Sequence, residues 1–309
     1  MIVVFGSINI DLVFRAAELP REGETVLTDA FATVPGGKGA NQAVAAALAR
    51  GRTSCPVAMV GQVGEDAFAE LALRQLRAVG VDIAAVGRSR RPTGCASITV
   101  DARGRNQITV ASGANLDASQ DAIGDDLLSP GTWIVLQNEV AEAENLALAR
   151  RAAARGAKVI LNAAPARPMA SEQWRGLLHH LIVNEAEAGA LAGSADLDAL
   201  DALARDLGTG VIATLGADGA LAVPPGGSPL AVDALPLDRV VDTTAAGDCF
   251  VGALACALSD GEALDAALRF ASVAGGLACT RPGAQTSAPH RAEIAARLNE
   301  IAPARRLAG

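Results

Sequence analysis

Short apolar runs alternate with longer helical patterns along almost the whole chain. Six runs are typical of buried strands: residues 2–5, 57–61, 133–137, 158–161, 181–183 and 211–215. Alanine- and leucine-rich helical patterns separate them, as at residues 40–50, 67–80 and 143–156. Strands that are apolar at nearly every position favour a mostly parallel sheet with helices on both faces. We therefore predict an α/β fold, in a single domain over residues 1–309 because no linker divides the chain.

Two segments break this alternation and resemble half-exposed strands. Residues 12–34 and 93–111 alternate polar and apolar side chains, and the second indicates a hairpin around "DARGRN". Such strands could form a small accessory sheet, either as decoration or as a lid over a site. Ligands in α/β folds lie beyond the carboxyl ends of the parallel strands, so a lid is expected there.

Composition excludes several classes of protein. Half of the 309 residues are apolar, which is enough for a large core, and the net charge of −8 argues against generic nucleic-acid or anionic-membrane binding. No segment has the length of an uncharged membrane span. The start, "MIVVF", lacks a basic n-region, so we expect no secretory signal and a cytoplasmic protein. Five Cys without CxxC spacing and three His do not favour structural zinc.

Asn9 and Asp11 follow the first predicted strand, in "GSINIDLV". Their spacing of two places both side chains on the same side of an extended segment. A carboxylate with an amide suits hydroxyl groups, because Asp accepts hydrogen bonds while Asn both donates and accepts them. Two Asx residues in an ordinary strand-to-loop turn remain the alternative.

A glycine-rich helix start follows in "PGGKGANQAVAAA". Its glycines, Gly36, Gly37 and Gly39, would let the backbone approach a ligand closely, and the helix start offers unpaired N–H groups. Lys38 and Asn41 would project from the first turn. The pattern is neither GxGxxG nor GxxxxGK[ST], so it indicates neither a Rossmann nor a Walker phosphate site.

Three further motifs lie at the ends of predicted strands. Glu139 follows a central strand, where α/β folds keep functional residues. Asn184 and Glu187 share one face of a starting helix, and their spacing is also that of a capping box. The motif "TLGADGAL", residues 214–221, predicts a strand, a glycine turn and a short strand. Such a hairpin could contact a flat ligand or be a plain turn.

The stretch "DTTAAGDCF", residues 242–250, leads into an apolar helical run. Small residues at 245–247 leave their backbone N–H groups uncovered at a helix start, which makes an anion site. Asp248 follows in the first turn, where an aspartate is also a common capping residue. A carboxylate beside a bound phosphate needs a chemical task, and the obvious one is to accept the proton of an attacking hydroxyl. Together these features indicate phosphoryl transfer.

Two of these motifs, "GGKGANQA" and "DTTAAGDCFVGA", resemble the signatures of the ribokinase-like (PfkB) carbohydrate kinases, and "RPGAQTS" at 281–287 matches as well. The resemblance covers essentially the whole chain. It implies an ATP-dependent sugar kinase that uses Mg²⁺ and a monovalent cation such as K⁺, with D-ribose as the expected sugar. It also implies that segments 12–34 and 93–111 form a β-lid, which makes a homodimer interface.

The resemblance assigns roles residue by residue. Asp248 is the implied base, and the backbone of Ala245, Ala246 and Gly247 is the implied anion hole. The residues implied to hold the sugar are Asn9, Asp11, Gly37, Lys38, Asn41 and Glu139. Asn184 and Glu187 are implied to organise phosphate and Mg²⁺, and Thr214, Gly216 and Gly219 to contact the nucleotide. The implied monovalent-cation ligands are Asp242, Thr244, Ala278, Gly283 and Ser287.

Alternatives from the same and other classes stay open at this point. A nucleoside, fructose or a ketodeoxy sugar acid could replace ribose, although the lid offers only Phe14 and Phe31 to stack on a base. The chain departs from the family pattern at Asn138, Ser272 and Pro282. A non-catalytic sugar or nucleotide sensor would not need Asp248, and a dinucleotide oxidoreductase would need a glycine fingerprint after the first strand.

Overall fold

The computed structural model describes residues 1–51 and 56–307, so Cys55 lies outside the described residues. Within these ranges the strands are β1 Ile2–Phe5, β2 Asn9–Arg15, β3 Phe31–Gly36, β4 Val57–Gly64, β5 Val86–Ser89, β6 Gly94–Val100, β7 Asn106–Ala111, β8 Trp133–Gln137, β9 Lys158–Asn162, β10 His180–Asn184, β11 Gly210–Thr214, β12 Ala220–Val223, β13 Leu230–Val232 and β14 Arg305–Arg306. The helices are α1 Lys38–Ala49, α2 Ala67–Ala78, α3 Glu142–Arg155, α4 Ser171–Trp174, α5 Glu185–Ala192, α6 Leu197–Leu207, α7 Ala246–Ser259, α8 Leu264–Ala278 and α9 Arg291–Arg297.

The large sheet has the strand order β14-β13-β12-β11-β10-β9-β8-β1-β4-β5. Every neighbouring pair from β11 to β5 is parallel, and β11 to β14 pair antiparallel at one edge. All six predicted strands are present, and the α/β prediction is confirmed. Sequence reasoning missed β13 and β14, because strands of three and two residues give too short a pattern to recognise.

Helices cover both faces of the large sheet. Alternate residues of β1 belong to two separate apolar clusters: Val4 packs into the cluster that holds α1, α7 and α8, and Val3 packs into the cluster beneath α3 and α6. All four β1 side chains are buried. Burial on both faces explains why this strand is apolar at every position rather than at alternate ones. Among the described residues no helix is long and apolar enough to cross a bilayer.

The small sheet consists of β2, β3, β6 and β7, in the order β3-β2-β6-β7. The predicted hairpin is present, since β6 and β7 pair antiparallel on either side of residues 101–105. The prediction that 12–34 is strand-forming holds only at its ends. Residues 16–30 contain no strand; Pro20 lacks a backbone donor, and Glu24 N–H bonds to the Arg21 carbonyl in a turn.

Candidate active site

Asp248 lies in the first turn of α7 and faces the first turn of α1. Asn41 Nδ2 donates to its Oδ2 over 3.0 Å, and Gln42 Nε2 donates to its Oδ1 over 2.9 Å. The close packing of the two helices produces these contacts. A β-carbon built on Gly252 of α7 would lie 2.6 Å from the Gln42 carbonyl oxygen of α1. Asp248 is therefore buried, and both of its oxygens accept hydrogen bonds from amide groups.

Glu139, just beyond β8, fixes the start of α1. Its Oε2 accepts from the backbone N–H of Lys38 over 3.0 Å and also from the Ser7 hydroxyl. A carboxylate at a helix start accepts from an otherwise unpaired N–H group, and its negative charge is stabilised by the positive end of the helix dipole. Gly37 precedes the helix with φ 88°. A β-carbon there would lie 2.8 Å from the Asn9 nitrogen, so the turn requires glycine.

Asn9 and Asp11 share one face of β2, as their spacing predicted. Glycines on the neighbouring strands leave room for both: a β-carbon on Gly94 would lie 2.1 Å from Asn9 Oδ1, and one on Gly36 would lie 2.2 Å from Asp11 Oδ2. Asn115 Nδ2 donates to Asn9 Oδ1 over 2.7 Å. This bond fixes Asn9 as an acceptor at its oxygen and leaves its amide nitrogen as the donor for a ligand.

Four ionisable groups from separate elements shape the charge of the site. Burial raises the pKa of Asp248, against the opposing effect of Lys38 and its two amide donors. The Asp248 carboxylate in turn raises the pKa of Lys38. Burial, followed by the negative charges of Glu139 and Asp248, raises the pKa of Asp11 to about 7. Lys38 is thus the cation that holds these carboxylates together.

The start of α7 has the form of an anion site. Ala245 adopts a left-handed conformation, with φ 58° and ψ 13°, which is unusual for a residue with a β-carbon. Strain of this kind clusters at functional sites. Space above Gly247 is open, since a β-carbon there would meet no atom of residues 1–51 and 56–307 within 4 Å. The N–H of Ala246 donates to the Thr243 carbonyl over 3.2 Å. One of the three backbone N–H groups of the predicted anion hole therefore already has a hydrogen-bond partner in this structure.

Two cavities meet at this helix start. One of about 200 Å³ contains Asp248, Lys38 and Glu187, and the other, of about 660 Å³, extends past Ser272. Thr214, Thr243 and Gly247 line both cavities. Gly216 and Gly219, in the predicted nucleotide turn, line the larger one. A long ligand in the larger cavity could therefore extend its end to Asp248.

Asn184 and Glu187 form the capping box that their spacing allows. The Glu187 carboxylate accepts from Asn184 N and Nδ2, over 2.9 and 3.1 Å, and Glu187 N donates to Asn184 Oδ1 over 2.8 Å. Glu187 is only 6% exposed, and burial raises its pKa. The cap and the predicted phosphate role are compatible, because both residues line the small cavity with Asp248.

Asp242 joins two loops near the start of α7. Its Oδ1 accepts from Thr244 N and its Oδ2 from Gly283 N, each over 2.9 Å. Burial opposes ionisation, but these hydrogen bonds outweigh it and lower the pKa of Asp242. Three of the five predicted cation ligands are thus in contact. Ala278 precedes Cys279, whose carbonyl accepts from the Asp242 N–H, and the buried Ser287 lies on the Gly283 loop.

The family model of the pfkB carbohydrate kinases matches residues 1–291. The chain belongs to this family. The expected carbohydrate kinase is thereby confirmed. Two cavities that share Gly247, with a buried aspartate next to it in the smaller one, agree with an enzyme that transfers a group between two ligands.

Curated relatives of this kinase match it over nearly its full length. A ribokinase of Schizosaccharomyces pombe is 37% identical, with 96% of this chain and 98% of the relative covered. One of Lactococcus lactis is 36% identical, with 96% and 97% covered. Among solved structures, ribokinase from Thermotoga maritima has a TM-score of 0.87 at 34% identity, with 96% and 99% covered. The Arabidopsis thaliana ribokinase complexed with ribose and ATP has a TM-score of 0.86 at 32% identity, with 96% and 98% covered.

Sequence reasoning missed several polar side chains of the kinase site. They are Ser7, Gln42, Asn115, Gln137 and Asn162, which contact Glu139, Asp248 or Asn9 directly or through one another. Burial of polar groups is the signal that identifies them, since a buried amide must be paired. That signal exists only in the folded molecule, because nothing in the sequence around these residues shows that they are buried.

Proposed function

We propose that this kinase is a ribokinase, which transfers the terminal phosphoryl group of ATP to the primary hydroxyl of D-ribose. The observation that carries the proposal is the position of Asp248. Its buried carboxylate lines the small cavity and follows directly after Gly247, which lines both cavities. It also accepts a hydrogen bond from Asn41 on the first turn of α1. The names of the curated relatives and the ribose and ATP in the Arabidopsis structure support both substrates.

The side chains around Asp248 suit a small polyol. Asn41 Oδ1 is buried and has no hydrogen-bond partner among the described residues, so a substrate hydroxyl could donate to it. Asp11 and Glu139 supply further acceptors, and Lys38 supplies a donor. Gly37 lets the backbone come close to the same ligand. This mixture of acceptors and donors would fix several hydroxyl groups of the sugar at once.

Asp248 would act as the base. Its carboxylate takes the proton of the sugar hydroxyl while the hydroxyl oxygen attacks the terminal phosphorus of ATP. The backbone of Ala245, Ala246 and Gly247 would stabilise the charge on the transferring group, with Ala246 giving up its bond to Thr243. The small sheet would act as a lid that excludes water, the competing acceptor.

The larger cavity would hold the nucleotide, with Thr214, Gly216 and Gly219 against it. Mg²⁺ would neutralise charge on the phosphates when it is bound. Asn184 and Glu187 fit this ion, because they place oxygen ligands and a buried negative charge in the small cavity, and Mg²⁺ is usually held by one or two carboxylates together with phosphates and water.

A plain sugar fits the small sheet better than a nucleoside does. Phe14 and Phe31, the aromatic residues available for stacking, stack on each other with ring centroids 5.4 Å apart. Phe14 is three residues from Asp11 on β2, so it lies on the opposite face of the sheet from Asp11.

Asn138, where the family usually has an apolar residue, donates to the Pro165 carbonyl over 3.1 Å and so contacts a loop of the protein.

A substrate panel tests the proposal. ATP-dependent phosphorylation would be measured with ribose, fructose, adenosine, inosine, pseudouridine and ketodeoxygluconate. We expect the largest kcat/KM for ribose. A preference for a nucleoside or a sugar acid would leave the reaction intact and overturn the choice of sugar. No turnover on any of these substrates would favour the alternative that the protein is a non-catalytic sugar or nucleotide sensor.

Protonation of Asp11 should weaken sugar binding. Its pKa is raised to about 7, so the Asp11 carboxylate becomes protonated as the pH falls through this value. The sugar then loses one charged hydrogen-bond acceptor. We expect the KM for ribose to rise about tenfold below pH 7, the value of one charge-assisted hydrogen bond. Asp11→Asn should have a high KM with little pH dependence. An equally steep rise in this variant would show that another group titrates.

We propose a monovalent-cation site at Asp242, with Thr244, Ala278, Gly283 and Ser287 as the other ligands. The family resemblance implies one carboxylate together with several backbone carbonyl oxygens, and such a set of hard oxygen ligands suits a weakly hydrated ion such as K⁺. The site borders the start of α7, so a bound cation would stabilise the anion hole. We expect K⁺ to raise kcat several-fold over a tetramethylammonium salt, and Asp242→Ala to abolish the effect while the variant stays folded. Equal stimulation of the variant would refute the site.

The small sheet is also the proposed homodimer interface of a cytoplasmic enzyme. Large exposed apolar side chains concentrate on this sheet and on the loop between β2 and β3: Phe31, Ile108 and Val110 on the strands and Leu27 on the loop are between 49% and 90% exposed. Apolar surface of this kind marks interaction sites, and a second copy of the chain would cover it. A molar mass of one chain by light scattering across micromolar concentrations would rule out the dimer.

A further inference from the structure

Two buried glutamines stand behind Asp248 in a continuous chain of hydrogen bonds. Gln42 Nε2 donates to Asp248 Oδ1 over 2.9 Å, and Gln137 Nε2 donates to Gln42 Oε1 over 2.7 Å. Both glutamines have no exposed surface. Gln42 Nε2 also donates to Asn162 Oδ1 over 3.1 Å. The chain therefore joins α1, β8 and β9 to the carboxylate on α7.

Backbone carbonyls fix the direction of this chain. An isolated side-chain amide can turn its oxygen and nitrogen around, but a carbonyl only accepts. Asn162 Nδ2 donates to the Ile182 carbonyl over 3.3 Å, which turns Asn162 Oδ1 toward Gln42. At the other end, Gln137 Nε2 also faces the Val135 carbonyl, 3.5 Å away. Gln42 is thus held with its oxygen toward Gln137 and its N–H groups toward Asp248 and Asn162.

The surrounding backbone is built to admit Gln137. A β-carbon on Gly6 would lie 1.8 Å from Gln137 Oε1, so glycine at the end of β1 is needed for this rotamer. Asn145 Nδ2 donates to the Gln137 carbonyl over 2.7 Å and fixes the strand end itself. Burying an amide side chain in a sheet strand costs folding free energy unless the amide forms hydrogen bonds, because its polar groups lose their contacts with water.

We propose that Gln42 and Gln137 are positioning residues that hold the Asp248 carboxylate in one orientation and as a hydrogen-bond acceptor. The inference deepens the proposed function and rests on the role of Asp248 as the base. Gln42 acts on Asp248 directly, and Gln137 acts through Gln42. Without the Gln42 N–H, the buried Asp248 carboxylate accepts from one donor fewer, so its ionised form is less stable. It is also free to rotate about its side-chain bonds.

The variant Gln42→Met tests this role, because methionine has a similar shape and no donor. We expect the acid limb of kcat, at saturating ribose and ATP, to move to higher pH by about one unit. Turnover should fall about tenfold on the acid side and recover toward the wild-type value at high pH. Both KM values should change less than about twofold, since Gln42 has no exposed surface for a substrate to contact. Gln137→Met should shift the profile in the same direction by less.

Gln62→Met on β4 is the matched control. Gln62 is a second glutamine whose Oε1 is buried, with no hydrogen-bond partner in the part of the chain that the structure describes. It lies outside the chain of hydrogen bonds that reaches Asp248. We expect a wild-type pH profile from this variant. If Gln42→Met lowers only stability and leaves the profile unchanged, the glutamines are structural and the inference fails. If Gln42→Met does not fold, the profile of Gln137→Met decides.

Asp248→Asn separates this inference from the proposed function. An active Asp248→Asn enzyme would refute Asp248 as the base, and with it the reason for positioning. An inactive Asp248→Asn enzyme together with an unshifted Gln42→Met profile would refute the positioning role alone.

Discussion

Asp248→Asn should fold normally and lose about 1,000-fold or more in kcat for ribose phosphorylation, the upper range for removal of a general base. Asparagine keeps the shape of the side chain. Its oxygen can accept from Gln42, and its amide nitrogen can donate to Asn41 Oδ1 once the Asn41 amide turns around. Asparagine cannot accept the proton of the attacking hydroxyl. Initial rates with ATP and ribose, together with a thermal unfolding curve, measure both parts of the expectation.

Thermal stability should not fall in this variant, and this distinguishes a functional carboxylate from a structural one. Burial raises the pKa of Asp248, so its charge costs folding free energy at neutral pH. A neutral side chain removes that cost. Asp265→Asn is the control, because Asp265 is an exposed carboxylate in the first turn of the neighbouring helix α8. Its kcat should equal that of the wild type. Near-wild-type activity in Asp248→Asn would refute the mechanism.

The fold could be predicted from the sequence wherever the spacing of apolar residues alone determines the secondary structure. The apolar runs of β1, β8 and β10 carry enough residues to specify a buried parallel strand, and all three formed as expected. Segment 16–30 shows the limit. Its alternating pattern resembled a strand, but a strand needs a partner edge as well as a pattern, and residues such as Pro20 prevent continuous pairing.

The proposed site rests on local motifs in the sequence, whereas the long-range pairing of its side chains could not be predicted. Asp248, Lys38 and Asn41 stand in glycine-rich helix starts, where chemistry leaves a local trace. Gln42 lies in the same motif, yet its task depends on Asp248, 206 residues away, and on Gln137, 95 residues away. No local pattern encodes such contacts, because the fold brings them together.

Gly252→Ala should destabilise the kinase by about 3 kcal/mol or more, the upper range for overpacking a close contact. The new methyl group would lie 2.6 Å from the Gln42 carbonyl oxygen and 2.7 Å from both Ala45 Cβ and Ala46 N. Two of these atoms belong to helix backbone and cannot move away without displacing α1. Urea unfolding followed by circular dichroism measures the loss.

Gly189→Ala in α5 is the matched control, because a methyl group there would lie more than 4 Å from every other atom that the structure describes, its own helix and chain neighbours aside. Alanine has the higher helix propensity, so this variant should be as stable as the wild type or more stable by up to about 1 kcal/mol. Gly252→Ala should also lower the kcat of the molecules that do fold, since the spacing of α1 and α7 sets the contacts of Asp248 with Asn41 and Gln42. Wild-type stability in Gly252→Ala would mean that the two helices can separate at little cost, and that their packing does not fix the base.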